Sequence, residues 1–177
     1  MSIAGTTFAQ SITDAENLLA HFDALNTKPP PPHTEVLKRA GLVMAMTAWE
    51  TYVEDRVLEA AAARLAALGN NSIAEFVQSR LDDDIRRLHS PTSQRTLQLF
   101  RDYAGVDLSS KWRWNMHDEQ AVRMRLDGYI KLRGEVVHRS RVVSLGPPVA
   151  HPVTKDDLQR AISFLKQLVE VTEKALA

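Results

Sequence analysis

The residues in this sequence best suited to chemistry are Arg133 and His138, five positions apart in the segment Arg-Gly-Glu-Val-Val-His. An imidazole titrates near neutral pH, so a histidine can serve as a general acid or base. A guanidinium group can bind a phosphate through two hydrogen bonds. The pair therefore combines the capacity to transfer protons with the capacity to bind an anion.

The spacing of Arg133 and His138 is weak as a signal when taken alone. In a sequence with this many arginines and histidines, about one or two arginines fall five to seven residues ahead of a histidine by chance. The structural alternative is an exposed arginine, with a histidine that interacts favourably with the negative end of a helix dipole. Other features of the chain must therefore decide between the two interpretations.

Acidic residues on two segments are candidates to support this pair. Glu135 could pair with His138 or Arg139 at helical spacing, which is also an ordinary structural use. Glu50, on a long early helix with Glu54 one turn away, could face Arg133 and orient it. The alternative for both glutamates on the early helix is a solvated acidic face.

The segment from Lys111 to Arg141 carries an excess of basic residues in a chain whose formal net charge is zero. A local basic segment can attract a polyanion even in a neutral protein. The candidate RNA contacts are Lys131, Arg139, Arg141, Trp112 and Trp114. The tryptophans could stack on unpaired bases, or at least one could pack beneath the start of the following helix.

Several classes of site have no support in the sequence. The chain contains no cysteine, which excludes disulfides, thiolate metal sites and a cysteine nucleophile. It contains no phosphate-binding glycine loop, and no two histidines stand three or four residues apart, so we expect neither a cofactor nor a metal. Without a signal peptide or a membrane-spanning apolar run, the expected location is the cytoplasm, with no membrane partner.

Apolar residues recur at helical spacing along most of the chain, and no segment alternates convincingly with period two. The fold class predicted is all-α, a bundle of about five to six helices. The predicted helices span 11–25, 34–68, 72–89, 93–103, 115–139 and 154–177, and 106–114 is predicted as a loop. We expect one globular unit, with an N-terminal helix and proline linker in residues 1–32 and the helical domain in 33–177.

The same patterns predict helix caps and buried faces. Ser72, Asn115 and Thr154 are predicted to cap the third, fifth and last helices. The residues expected to face the core are Leu18, Leu19, Phe22 and Leu25 in the first helix, Ile73, Phe76, Val77 and Leu81 in the third, Val122, Leu126, Ile130 and Val137 in the fifth, and Leu158, Ala161, Ile162, Leu165, Leu168, Val169 and Thr172 in the last.

Four features, in this order, resemble the HEPN superfamily and specifically its RiboL-PSP-HEPN branch. They are the Trp-Glu-Thr-Tyr segment from Trp49 to Tyr52, the tryptophan-bearing segment 111–114, the Arg133 to His138 match to the family's Rx4-6H signature, and a Thr-led amphipathic helix to the C-terminus. The likeness covers roughly residues 35–177 and depends on the combination.

The resemblance implies a helical bundle that forms a homodimer, in which two copies of the motif meet across a two-fold axis. Active members are metal-independent endoribonucleases, often in toxin–antitoxin or antiviral systems, so a cognate antitoxin or defence partner protein is also implied. Arg133 and His138 would be the catalytic residues. Gly134 departs from the polar residue common after the arginine, so the alternative is a catalytically weak or inactive module that binds a protein, RNA or nucleotide.

Overall fold

The computed structural model describes residues 1–25, 27, 31–69, 71–115, 117–139 and 153–177. Its α-helices are α1 (Ile3–Leu25), α2 (Glu35–Leu68), α3 (Ser72–Arg86), α4 (Ser93–Leu99), α5 (Glu119–Arg139) and α6 (Lys155–Ala175), with shorter helical turns at Pro32–Thr34, Phe100–Ala104 and Ser109–Lys111. The described part of the chain contains no β-strand. The prediction of an all-α bundle is confirmed.

Helix α1 begins eight residues earlier than the apolar pattern predicted, at Ile3. Ser2 caps it, because its hydroxyl accepts a hydrogen bond from the Gly5 backbone N–H at 2.8 Å. Phe8 and Ile12 are buried in the added turns, whereas Leu25 at the other end is 53% exposed. The predicted face was therefore wrong at Leu25. The buried stripe is displaced toward the N-terminus, where α1 packs along α2 and contacts α6.

The proline tract predicted as a linker is only partly visible. Pro29 and Pro30 lie outside the described residues, whereas Pro31 accepts hydrogen bonds from the backbone and hydroxyl of Thr34 at 2.9 and 2.8 Å. The division of the chain at residue 32 stays a prediction.

The centre of the bundle is built around α2, whose buried side chains include Trp49 and Tyr52. Trp112, which precedes α5, is also fully buried, and its ring meets that of Trp49 edge-on at a centroid distance of 6.4 Å. The Trp112 indole N–H donates to the Thr172 hydroxyl of α6 at 3.0 Å. Trp112 is 0% exposed, so its ring is not accessible for stacking on RNA bases in this structure, and the alternative that one tryptophan packs inside the fold applies to it.

Helix α3 differs from its prediction at both ends. Asn71, not Ser72, caps it by accepting hydrogen bonds from the backbone of Ile73 and Ala74, and the helix ends at Arg86. Ile73 and Phe76 were expected inside but are each 66% exposed, and Leu81 is the buried apolar residue. This short helix contacts mainly α2, which covers only a narrow stripe of it.

Helix α5 begins at Glu119 rather than at the predicted cap Asn115, whose φ of 45° places it in the left-handed region. The Asp118 carboxylate accepts from the Ala121 backbone N–H at 2.8 Å and so provides the cap. Near the other end, Val136 is buried and Val137 is half-exposed, the reverse of the prediction for Val137.

Helix α6 matches its prediction most closely. Thr154 and Asp157 form a reciprocal capping box, and all seven residues expected in the core are buried. The helix packs against α1 and α2.

Candidate functional site

The site is centred on Arg133, which α5 directs toward α2 and the loop between α3 and α4. One terminal nitrogen, Nη1, donates a hydrogen bond to the Ser90 hydroxyl at 2.8 Å. The other, Nη2, lies 3.7 Å from Glu50 Oε2, an ion pair longer than a hydrogen bond. The Arg133 side chain is 27% exposed, so the guanidinium is held at the surface rather than enclosed.

Glu50 lies on α2 where it reaches both Arg133 and the loop. Its second carboxylate oxygen, Oε1, accepts a hydrogen bond from the Ser90 backbone N–H at 3.0 Å. The sequence suggested that Glu50 could face Arg133, and the structure places the two side chains together. The function of Glu50 in orienting Arg133 stays a prediction.

The loop between α3 and α4 contributes Ser90, which sequence reasoning missed as a site residue. Its φ of 60° lies in the left-handed region, which a non-glycine residue rarely adopts. The next residue, Pro91, is buried, and its carbonyl accepts from the Trp49 indole N–H at 3.4 Å. The only signal in the sequence was the Ser-Pro pair, which indicates a chain break and says nothing about Arg133.

The surroundings of Arg133 are more acidic than the basic segment of the sequence suggested. Burial raises the pKa of the Glu54 carboxyl above its ordinary value, and the nearby carboxylates of Glu50 and Asp55 raise it further. The charge of His89 in the adjacent loop opposes this shift. Arg133 thus lies beside an acidic edge of α2 and pairs there with Glu50.

The guanidinium of Arg133 retains unused hydrogen-bonding capacity. Its Nε atom is buried and has no hydrogen-bond partner among the residues that the structure describes. A buried donor without a partner is costly to the fold, and an anion could accept from this atom only after a shift of the Arg133 side chain exposed it.

His138 does not join Arg133 within one protomer. It is exposed near the end of α5, one residue before the final Arg139. Five residues along an α-helix correspond to a rotation of about 140°, so the two side chains leave α5 on different sides. His138 of the same protomer therefore does not supply an imidazole beside the Arg133 guanidinium.

The other predicted site residues are dispersed. Lys131 is exposed on α5, and Glu135 is half-buried, with no ion pair to another described residue. Trp114 is half-buried; it stacks on His117 at 5.4 Å and packs on Phe164 at 5.5 Å.

Two predicted phosphate contacts cannot be placed. The side chain of Arg139 and the whole of Arg141 lie outside the described residues.

The part of the chain that the structure describes contains no cluster of three or more histidine, aspartate or glutamate side chains arranged to hold a metal ion. None of its helices combines the length and apolar character required to cross a bilayer.

Comparison with protein families gives a match that covers nearly the whole chain. The family model described as RiboL-PSP-HEPN matches residues 10–177, so the chain belongs to this HEPN family. No curated protein and no solved structure matches it. Membership in a HEPN-type family indicates a nuclease or other RNA-related role.

Proposed function

From its membership in the RiboL-PSP-HEPN family, we propose that this chain is a metal-independent endoribonuclease that cleaves RNA as a homodimer through Arg133 and His138. The observation that carries the proposal is the state of Arg133 at the junction of α2, α5 and the Ser90 loop. Its guanidinium is oriented by a 2.8 Å hydrogen bond, and the side chain as a whole is 27% exposed. It keeps a buried Nε donor without a partner among the described residues.

The reaction needs no nucleophile from the protein. In RNA, the 2′-hydroxyl attacks the adjacent phosphorus, the bond from phosphorus to the 5′-oxygen breaks, and a 2′,3′-cyclic phosphate forms. One imidazole removes the proton from the 2′-hydroxyl, and a second donates a proton to the departing 5′-oxygen. Arg133 stabilises the negative charge that develops on the phosphate oxygens.

A homodimer supplies what one protomer lacks. HEPN domains commonly dimerise. In the proposed dimer, a two-fold axis beside α5 brings the two exposed His138 imidazoles together, in a cleft that the Arg133 guanidinium groups border. Lys131 is exposed on the same helix and would add a phosphate contact there.

The experiment incubates purified protein with total RNA in EDTA and compares the wild type with Arg133→Ala/His138→Ala. We expect the wild type to leave 2′,3′-cyclic phosphate ends and the double variant to lose at least a hundredfold in rate. Arg160→Ala/His21→Ala, which removes an exposed arginine and an exposed histidine elsewhere, is the matched control and keeps the wild-type rate. Equal cleavage by wild type and double variant, or cleavage by neither, contradicts the proposal.

A second function, an interaction module without catalysis, is favoured by Gly134. Glycine at this position provides no polar side chain next to Arg133. A Cβ atom built on Gly134 would meet nothing within 4 Å among the described residues. In that case Arg133 serves as a tether for the Ser90 loop. The His138→Ala variant would then bind RNA or a partner as the wild type does. Neither the wild type nor this variant would produce cyclic phosphate ends.

The biological setting also belongs to the proposal. A cognate antitoxin or defence partner would be encoded beside this chain, and coexpression with each neighbouring gene should abolish cleavage if one of them encodes an antitoxin.

A further inference from the structure

We propose that Ser90 is a positioning residue of this site, which fixes the Arg133 guanidinium for phosphate binding from a strained backbone conformation. The inference rests on the proposed ribonuclease function and adds a residue that the Arg/His signature does not contain.

The contacts of Ser90 connect the two helices of the site. Its hydroxyl accepts from Arg133 Nη1 of α5 at 2.8 Å, and its backbone N–H donates to Glu50 Oε1 of α2 at 3.0 Å. Glu50 is 3.7 Å from Arg133 Nη2, beyond hydrogen-bond distance, so its attraction to the guanidinium is weakly directional. Within the described residues, the Ser90 hydroxyl is therefore the group that sets the orientation of the guanidinium.

The backbone of Ser90 is in a conformation that a serine does not favour. At a φ of 60°, glycine has no steric penalty, and asparagine is tolerated better than most residues. Strained positions of this kind cluster at functional sites, where the surrounding structure enforces them. What serine offers here and glycine does not is the hydroxyl that accepts from Arg133.

The position of the loop does not depend on that hydroxyl. The buried Pro91 is held through its carbonyl by the Trp49 indole. Two residues later, the backbone N–H and hydroxyl of Ser93 donate to the Asp127 carboxylate of α5, each at 2.8 Å. Removing the Ser90 hydroxyl should consequently free the Arg133 guanidinium while leaving the loop in place.

Three substitutions separate positioning from stability. Ser90→Ala removes the hydroxyl and keeps the strain, Ser90→Gly removes the hydroxyl and relieves the strain, and Ser90→Asn tolerates the backbone and restores an oxygen acceptor. We expect kcat to fall about tenfold in both Ala and Gly variants with KM nearly unchanged, since the interaction matters most in the transition state. The Asn variant should recover most of this loss.

Thermal unfolding supplies the contrast. The Gly variant should melt above the Ala variant, although both lose activity equally. Ser163→Ala, on α6, is the control that alters neither property. A Gly variant with the kcat of the wild type would overturn the inference, because Ser90 would then act only on backbone stability.

A measurement without activity distinguishes failure of this inference from failure of the proposed function. NMR of the side-chain nitrogens measures how fast the Arg133 guanidinium rotates. This rotation should be slow in the wild type and fast in Ser90→Ala and Ser90→Gly. Equal rotation in all three overturns the positioning role. Absence of RNA cleavage by the wild type, with rotation that differs as expected, would reject the ribonuclease and leave the Ser90–Arg133 contact as described.

Discussion

Among the described residues, two arginine–glutamate pairs link different helices, and they are built differently. Arg56 of α2 and Glu173 of α6 are joined by a hydrogen bond of 2.9 Å, with side chains only 10% and 14% exposed. Arg133 and Glu50 stand 3.7 Å apart, with side chains 27% and 20% exposed. The first pair is more buried and directly hydrogen-bonded, whereas the second is longer and more exposed.

The difference extends to the neighbours of each pair. Glu173 also accepts hydrogen bonds from the Ser2 backbone and hydroxyl and from the Tyr52 hydroxyl. Burial, reinforced by the charge of Glu173, raises the pKa of Tyr52 well above its ordinary value, which keeps the phenol protonated as a donor. A saturated cluster of this kind stabilises the fold, and an unsaturated one retains donors for a ligand.

The largest expected effect tests this contrast by removing each arginine. Arg56→Ala should lower the free energy of unfolding by about 3 kcal/mol, because it leaves the Glu173 charge buried without its cation. Arg133→Ala should cost only about 1 kcal/mol, the value of one partly exposed hydrogen bond. Urea unfolding monitored by circular dichroism measures both.

Arg160→Ala, whose side chain is exposed on α6, is the control and should change stability little. A larger loss for Arg133→Ala than for Arg56→Ala would reverse the comparison and make the Ser90 cluster the structural one.

A smaller effect concerns pH. Burial opposes ionisation of Glu173, but the hydrogen bonds from Ser2 and Tyr52 and the charge of Arg56 outweigh it and lower its pKa below the ordinary value of 4.5. Ionised Glu173 therefore stabilises the fold above that value, and the stabilisation is lost as the pH falls through the lower pKa of the folded state. In Glu173→Gln, the melting temperature should therefore fall less steeply than in the wild type as the pH is lowered below 4.5, the acid limb of the pH profile.

Glu54, beside the candidate site, should behave in the opposite sense. Its pKa is raised, chiefly by burial, so its ionisation opposes folding as the pH rises through the raised value. Glu54→Gln should stabilise the protein at neutral pH and leave the acid limb unchanged. A loss of stability at neutral pH in this variant would show that the Glu54 charge is needed near Arg133.

The smallest effect is expected at Gly134. Because a Cβ atom there meets nothing within 4 Å among the described residues, Gly134→Ala should stabilise α5 by about 0.5–1 kcal/mol through helix propensity alone. Gly128→Ala is matched on the same helix, with the same open space. If the two protomers meet at Gly134, only Gly134→Ala should weaken the dimer in sedimentation velocity, and equal behaviour of both variants would place the interface elsewhere.

The sequence predicted well where burial follows one helical period. In α6 the whole apolar stripe is buried and the Thr154 cap is present, because each position depends on local spacing. The sequence-based prediction of burial was wrong where the exposure of a residue depends on a neighbouring element. Nothing in the local pattern indicates that Phe76 is 66% exposed among the described residues. Nor does it indicate that α1 begins at Ile3 and buries Phe8.

The site divides in the same way. The spacing of Arg133 and His138 could be read directly from the sequence, and α5 places both as helical geometry requires. The contact between Arg133 and Ser90 spans 43 positions of the chain and depends on a left-handed residue that the sequence does not signal. Glu50 could be proposed from the sequence to face Arg133, but a solvated acidic face was an equal possibility there, because their proximity arises only from the packing of α2 against α5.

Trp49 and Glu50 are consecutive on α2, yet one hydrogen-bonds to the carbonyl of Pro91 from the core and the other to the amide of Ser90 at the surface. The orientation of this loop is consequently tied to the rotation of α2 about its own axis. A rotation of α2 about its axis would move Ser90 relative to the Arg133 guanidinium that it contacts. The geometry of the Ser90–Arg133 contact therefore depends on how α2 is rotated in the bundle.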